Sequence, residues 1–403
     1  MNTTREFQRL IEQALEKASN EVPSQITYWD DTTKHFGSKP YKIGIKINAQ
    51  NVLEDLFSDL SLGFGENYVN KHIEVTGNLK DLLYLKNFIK KNNIKVPAKT
   101  KLAIAVNKLS NINSKKGAKK NISYHYDLGN DFFGLFLDKS YTYSCAYFKT
   151  PDDSLEAAQN NKYELICRKI YLKDNDKVVD VGCGFGGFLI YAAKRNNIKG
   201  LGCTISKNQY EFAKQRIKEE GLSDKIEVVY EDYRNLTGTF NKFVSIGAYE
   251  HIGKNYANVF FSKLNAILES GALGLLHTIG HNEPLPTDPW TLKYIFPGGY
   301  LPSLEELVKR LRKKKFYIID IENLRPHYAK TIEHWIERFE NNIDKVKQMF
   351  DEKFIRMWKL YLNGAYSSFK WGDTQLYQIV FSKGQVQIPL YRGQIYNTWK
   401  GDV

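Results

Sequence analysis

The sequence predicts an α/β protein: a doubly wound, mainly parallel sheet with a helical lid inserted before its last strands, preceded by a small α+β domain. Three observations lead there. Strand-like and helix-like segments alternate after about residue 121, as in a parallel sheet covered on both faces. A glycine loop, VVDVGCGFGGF, joins the first of those strands to a helix. A Lys-, Asn- and Ser-rich stretch, KLAIAVNKLSNINSKKGAKKN from 101 to 121, reads as a linker.

The elements follow in chain order. Phe7, Leu10, Ile11, Ala14, Leu15 and Ala18 recur with helical period, and acidic residues among them break any signal-peptide core. YKIGIKIN at 41–48 reads as a strand and NVLEDLFSDLSLG, ending at Gly63, as a helix. HIEVTG is a further strand, and DLLYLKNFIKKN again has helical spacing. These make a small domain over 1–100, followed by a basic linker over 101–120 and a larger domain over 121–403. In the larger domain KVVDVG, IKGLGCTIS, KIEVVYEDY, KFVSIGAY and ALGLLHTIG are strands. KNQYEFAKQRIKEE and NVFFSKLNAILES are helices between them, the second with Phe260, Leu264, Ile267 and Leu268 on one face and Gly271 closing it. The proline- and aromatic-rich NEPLPTDPWTLKYIFPGGY, 282–300, interrupts the alternation, so about 281–370 is expected to form the lid. FYIIDIENL and TQLYQIVFSK supply the final strands.

At 403 residues, 42% hydrophobic and 14% aromatic, the chain can bury more than one core. Lys and Arg number 58 against 45 Asp and Glu, a net charge of +13 that favours an anionic partner, whether nucleic acid or an acidic membrane. The four cysteines are scattered without a CxxC pair, so neither a metal site nor a disulfide framework is indicated and a reducing cytoplasm fits best. No apolar run approaches the ~18 residues of a membrane span. A protein that works on membranes would then work at their surface.

The glycines Gly182, Gly184, Gly186 and Gly187 satisfy both DxGxGxG and the dinucleotide fingerprint GxGxxG. A nicotinamide site also needs an acid roughly 20 positions on, at the end of the second strand, to hold the ribose diol. Thr204 stands there instead, while Asp180 precedes the loop at a place where a carboxylate lies near a sulfonium or an ammonium. Together these favour S-adenosylmethionine. Glu231 and Asp232, after the third strand, are candidates for the adenine amino group or, equally, residues of an exposed turn.

YHYDLGNDFFGLFLDKSYTYSCAYF, VVDVGCGFGGF, GCTISKNQ, EDYR, GAYEHIG and LLHTIG, in that order, resemble the cyclopropane-fatty-acyl-phospholipid synthases from about Tyr124 onward. The preceding domain looks like the N-terminal domain of the bacterial branch. The resemblance implies a Rossmann-like class I methyltransferase sheet and the transfer of a methylene from S-adenosylmethionine to a cis double bond in a phospholipid acyl chain. It implies cofactor contacts from Tyr143, Ser144, Gly182, Gly184, Thr204, Ile205 and Gln209, with His125 and Tyr126 between cofactor and acyl chain. It implies a bicarbonate ion as base, in a pocket of Cys145, Glu250, His277, Ile279 and Tyr328. A homodimer, peripheral at the inner membrane surface and without a nucleic-acid partner, is the accompanying expectation.

Each assignment has a plainer rival. Cys145 can be a small buried hydrophobe or a nucleophile, His277 a satisfied core histidine and Glu250 a capping acid. Tyr126, Phe132, Phe133, Tyr143, Tyr147 and Tyr249 are available to stabilise a carbocation, or simply to pack. Other readings of the whole are a methyl-branched product, a basic RNA methyltransferase, for which no RNA-binding motif is visible, and a non-catalytic lipid-binding remnant.

Overall fold

The computed structural model describes residues 2–91 and 128–396, which pack as two units. His125, Tyr126 and the linker lie outside the described residues.

The first unit contains the described residues up to Lys91 together with Pro286–Ile295 and Phe339–Asp373. Its sheet has the order β2-β1-β3-β4, from β1 (Ser24–Thr27), β2 (Thr33–Phe36), β3 (Ile43–Ile47) and β4 (Ile73–Gly77). The helix Asn2–Ala18 lays Phe7, Leu15 and Ala18 into a core with Ile26, Ile43, Val52, Leu53 and Leu85, as its period requires. The helix Leu60–Val69 begins at Asp59, whose carboxylate accepts from the Ser61 and Leu62 amides.

The segment expected to form one lid, 281–370, is divided between the units. Trp290, on the short helix Pro289–Tyr294, lies so close to Gly65 that a Cβ there would meet its ring at 2.1 Å. Ser61 donates to Asp288 at 2.6 Å, and Lys293 and Tyr294 both reach Glu66. The helix Glu352–Lys370 is held by Arg356, which donates to the carbonyls of Tyr68 and Ile73 at 2.7 and 2.9 Å.

The second unit is built on seven strands: β5 (Lys177–Val181), β6 (Lys199–Thr204), β7 (Ile226–Tyr230), β8 (Phe240–Ile246), β9 (Leu268–His281), β10 (Phe316–Asn323) and β11 (Thr374–Lys383). Their order is β10-β11-β9-β8-β5-β6-β7, parallel from β9 to β7 and antiparallel at β11 and β10. The central strands are buried on both faces, which is why they read as continuous apolar runs. Phe188, Leu189 and Ala192 cover one face, and Phe260, Phe261 and Leu264 the other. The second of the helices that pack there ends at Ile267, and Leu268 and Gly271 already belong to β9. Chain order reverses at β5, between β8 and β6, so a crevice opens beyond the carboxyl ends of these strands.

Candidate active site

A cleft of about 770 Å³, open to solvent, occupies that crevice. Tyr143, Ser144, Asp180, Gly182, Gly184, Thr204, Ile205 and Gln209, eight of the expected cofactor contacts, line it together. The amides of Gly182 and Cys183 both donate to the Cys203 carbonyl at 3.0 Å, which closes the loop against β6. Gly182 has φ +77°, and a Cβ there would lie 2.2 Å from that of Ala248. Gly184, at φ +54°, is different: its Cβ would meet no described atom within 4 Å, so it presents bare backbone to the cleft. At the end of β6 the Thr204 hydroxyl donates to Gln209 Oε1 at 2.8 Å and accepts from the Ser206 amide at 3.2 Å. Asp180 is buried with Oδ1 unpartnered among the described residues. Burial pushes its carboxyl up, and the Lys162 charge pulls it back.

Lys162 was not foreseen. It is fully buried, lines the cleft and donates to Ser144 Oγ at 3.0 Å. Burial drives its ammonium down, opposed by Asp138, Cys145 and Asp180. The helix Leu155–Lys169, capped by Ser154, carries Lys162 and Lys169 two turns apart on a face otherwise filled by Leu155, Ala158, Leu165 and Ile166. Two lysines on a helix's buried stripe are a sequence signal for a polar task inside the fold.

Glu231 and Asp232 are not among the residues lining the cleft. Both oxygens of Asp232 hold Arg234, at 2.7 and 2.6 Å, and Glu231 Oε1 accepts from the Asp232 amide and from Asn235, so these carboxylates serve the turn after β7.

Of the five residues expected around a base, Cys145 is on a loop, Glu250 on a helical turn, His277 and Ile279 on β9, and Tyr328 on the helix Arg325–Asn341. Glu250 lies in the single helical turn Tyr249–His251 beyond β8, and its Oε1 accepts from the Ile279 amide of β9 at 2.6 Å. Its other oxygen is buried without a partner among the described residues, and burial lifts its pKa to about 7, against the Ile279 amide and the Thr278 hydroxyl, which lower it. His277 is buried, with Nδ1 3.2 Å from Gln378 Nε2 and its own Nε2 unpartnered among the described residues. Burial, with the charges of Lys162 and Lys169, holds it well below the ordinary histidine range and therefore neutral. Cys145 donates to the carbonyls of Ala146 and, more weakly at 3.9 Å, Leu324; the Tyr328 amide donates to that same Leu324 carbonyl at 3.1 Å. Burial pushes the Cys145 thiol up, which removes the nucleophile reading and leaves a compact apolar wall.

Aromatic rings continue that wall. Trp335 lies 5.1 Å from Tyr143, 6.0 Å from Tyr328 and 6.4 Å from Phe136, and Phe133 lies 5.4 Å from Tyr143. Tyr147 stacks on His327 at 4.5 Å, whereas Tyr249 packs among Phe260 and Phe261 in the core.

Among the solved structures, the cyclopropane synthase MmaA2 from Mycobacterium tuberculosis aligns with a TM-score of 0.64 at 30% identity, covering 66% of this chain and 98% of that one. The mycolic acid cyclopropane synthase CmaA1, solved with SAH and CTAB, aligns at 0.63 and 32% identity over 66% of this chain and 98% of its own. Coclaurine N-methyltransferase, at 20% identity and a TM-score of 0.66, shares the fold over 79% of this chain and 99% of its own. In sequence, the Escherichia coli (strain K12) cyclopropane-fatty-acyl-phospholipid synthase is 36% identical over 86% of this chain and 89% of its own length. A probable fatty acid methyltransferase of Pseudomonas putida is 39% identical over 68% of this chain and 73% of its own. Residues 10–95 match a domain of unknown function, and residues 113–379 match the model described as mycolic acid cyclopropane synthetase. With that match covering well over half of its length, the chain belongs to the mycolic acid cyclopropane synthetase family, on a class I methyltransferase sheet.

Proposed function

We propose that this chain adds a methylene, taken from the methyl of S-adenosylmethionine, across the cis double bond of a phospholipid acyl chain, closing a cyclopropane ring with the help of a bound bicarbonate. The observation that carries this reading is the pair of buried, unpartnered atoms beside the cofactor cleft, Glu250 Oε2 and His277 Nε2. Buried polar atoms without partners are uncommon, and two on neighbouring segments point to a small polar guest.

The residues fit both groups. The unpartnered Asp180 oxygen, the bare backbone of Gly184 and the Thr204–Gln209 pair offer acceptors and contact surface to a nucleoside joined to an amino acid. Glu250 offers an acceptor for the hydroxyl of a hydrogen-bearing oxyanion, and neutral His277 offers a donor or acceptor for its oxygens. The sulfonium supplies an electrophilic methyl, and the bicarbonate a weak base for the proton that leaves it as the ring closes. The chain's own part is positioning and exclusion. Tyr143, Trp335, Phe136 and Phe133 form an aromatic cluster whose ring faces can favour a cation without capturing it. Burial of Cys145, Glu250 and His277 keeps out the water that would quench it.

The phospholipid substrate is supported by the 36% identity to the Escherichia coli enzyme, which is long enough to reach into the first unit, and by the net charge of +13, which suits an anionic surface. No helix among the described residues is long and apolar enough to cross a membrane. Approach from the membrane surface as a homodimer is a further part of the proposal. Incubation with S-adenosylmethionine and vesicles of cis-monounsaturated phospholipid, followed by fatty-acid mass analysis, tests it. A gain of one methylene per chain is expected, and no gain would refute the reading. The Pseudomonas relative is named a probable fatty acid methyltransferase; a methyl branch is the second outcome, and fragmentation of the product separates branch from ring.

A further inference from the structure

We propose that Lys169 and Gln378 are positioning residues that hold His277 in the tautomer with hydrogen on Nε2, so that a fixed donor faces the site. The inference deepens the proposed function and rests on it only for what that donor does. The tautomer follows from the chain's own hydrogen bonds.

Sheet register sets up the arrangement. Glu322 on β10 pairs with Gln378 on β11, and Gln378 pairs with His277 on β9, so the three side chains stand in one row across three strands. Lys169, at the end of the helix Leu155–Lys169, brings a side chain with no exposure to this row. Its Nζ bonds Glu322, lies 3.8 Å from Asp320 and donates to Gln378 Oε1 at 2.8 Å.

The polarity of this row has one solution. An ammonium has hydrogens to give and no lone pair to receive, so the Gln378 amide must turn its oxygen to Lys169. Its NH₂ then faces His277 Nδ1 at 3.2 Å, and an amide nitrogen only donates. Nδ1 must therefore accept. In a neutral imidazole the hydrogen is left on Nε2, the atom that has no partner among the described residues. Burial draws the Lys169 ammonium down, the carboxylates of Glu322 and Asp320 oppose that and keep it charged, and the ammonium in turn keeps the amide from flipping. Neither group touches the reacting atoms.

The test uses the full chain labelled with ¹⁵N-histidine, and long-range ¹H–¹⁵N correlation spectra, which distinguish a protonated ring nitrogen from a bare one. His277→Gln identifies the relevant signals by their loss. In the unaltered protein Nδ1 is expected bare and Nε2 protonated, and Lys169→Arg should preserve that pattern. Gln378→Glu places an acceptor opposite Nδ1 and should draw the hydrogen there, exposing a bare Nε2 or an imidazolium. Where Nε2 is bare, the same variant should lose about 100-fold or more in kcat, as when a single fixed donor is removed, while S-adenosylmethionine affinity changes less than about twofold. A protonated Nδ1 or averaging tautomers in the unaltered protein would overturn the proposal, and so would a Gln378→Glu protein that keeps hydrogen on Nε2 alone. If the unaltered protein shows the Nε2 hydrogen and yet modifies no acyl chain, the positioning stands and the proposed function fails.

Discussion

Replacing Glu250 by glutamine separates the cost of burying this carboxyl from its use. The substitution keeps the acceptor for the Ile279 amide, 2.6 Å away, and puts a neutral NH₂ where an unpartnered oxygen stood. Burial raises the pKa of Glu250 from the ordinary 4.5 to about 7. Between those values the folded chain binds more protons here than the unfolded one, so this group's contribution to stability falls as pH rises. At 1.36 kcal/mol per pH unit the loss comes to roughly 3 kcal/mol by pH 8 and is absent below about pH 4.5. Glutamine cannot ionise. Glu250→Gln should therefore match the unaltered protein near pH 4 and exceed it by about 3 kcal/mol at pH 8, measured by urea unfolding at both values. The variant should also lose at least about 100-fold in turnover while still binding S-adenosylmethionine. The same stability difference at the two pH values would show that the carboxyl does not carry a raised proton affinity, and retained turnover would remove it from the site.

Gly184→Ala should weaken S-adenosylmethionine binding tenfold or more by calorimetric titration, because its methyl would enter the cleft, with a cost of about 1 kcal/mol for the left-handed backbone. Trp335→Ala, at a buried ring touching Phe136, Tyr143 and Tyr328, should lower unfolding free energy by about 3–5 kcal/mol. Trp335→Phe should cost less, since it also removes an indole N–H that has no partner among the described residues; denaturant titration ranks the two. Cys145 and Cys167, buried with their thiols pushed up, should resist alkylation at pH 8 until the protein unfolds, which mass mapping of the labelled positions checks.

The central strands of the larger sheet were legible because strands buried on both faces are mainly apolar, as KVVDV and FNKFVSI are. The four-residue strands Ser24–Thr27 and Thr33–Phe36 were missed, and TKHF, exposed at three of four positions, shows why: an edge segment has no pattern to display. The division of 281–370 depends on Trp290 meeting Gly65 and on Arg356 meeting two distant carbonyls, contacts that no local periodicity encodes. In the site, Thr204 and the glycines stood out because a turn and a missing acid are visible in one dimension. The pairing of Lys169 with Gln378 did not: the lysine stripe of one helix is visible, but a glutamine in a strand looks like an ordinary surface residue and nothing local joins the two. Only the register of β9, β10 and β11 makes them a row.

The position of β11 also governs when the protein can become itself. Gln378 is made 101 residues after His277, and β11 enters the sheet between two strands already synthesised, β9 and β10. Until it emerges from the ribosome, the apolar LGLLHTIG edge of β9 has no partner on that side, an open template for pairing with another nascent chain. Folding of this sheet must therefore wait for residue 383. Chains that stop short of 374 should accumulate as aggregates rather than as weakened enzymes, so a late nonsense mutation would be as damaging as an early one.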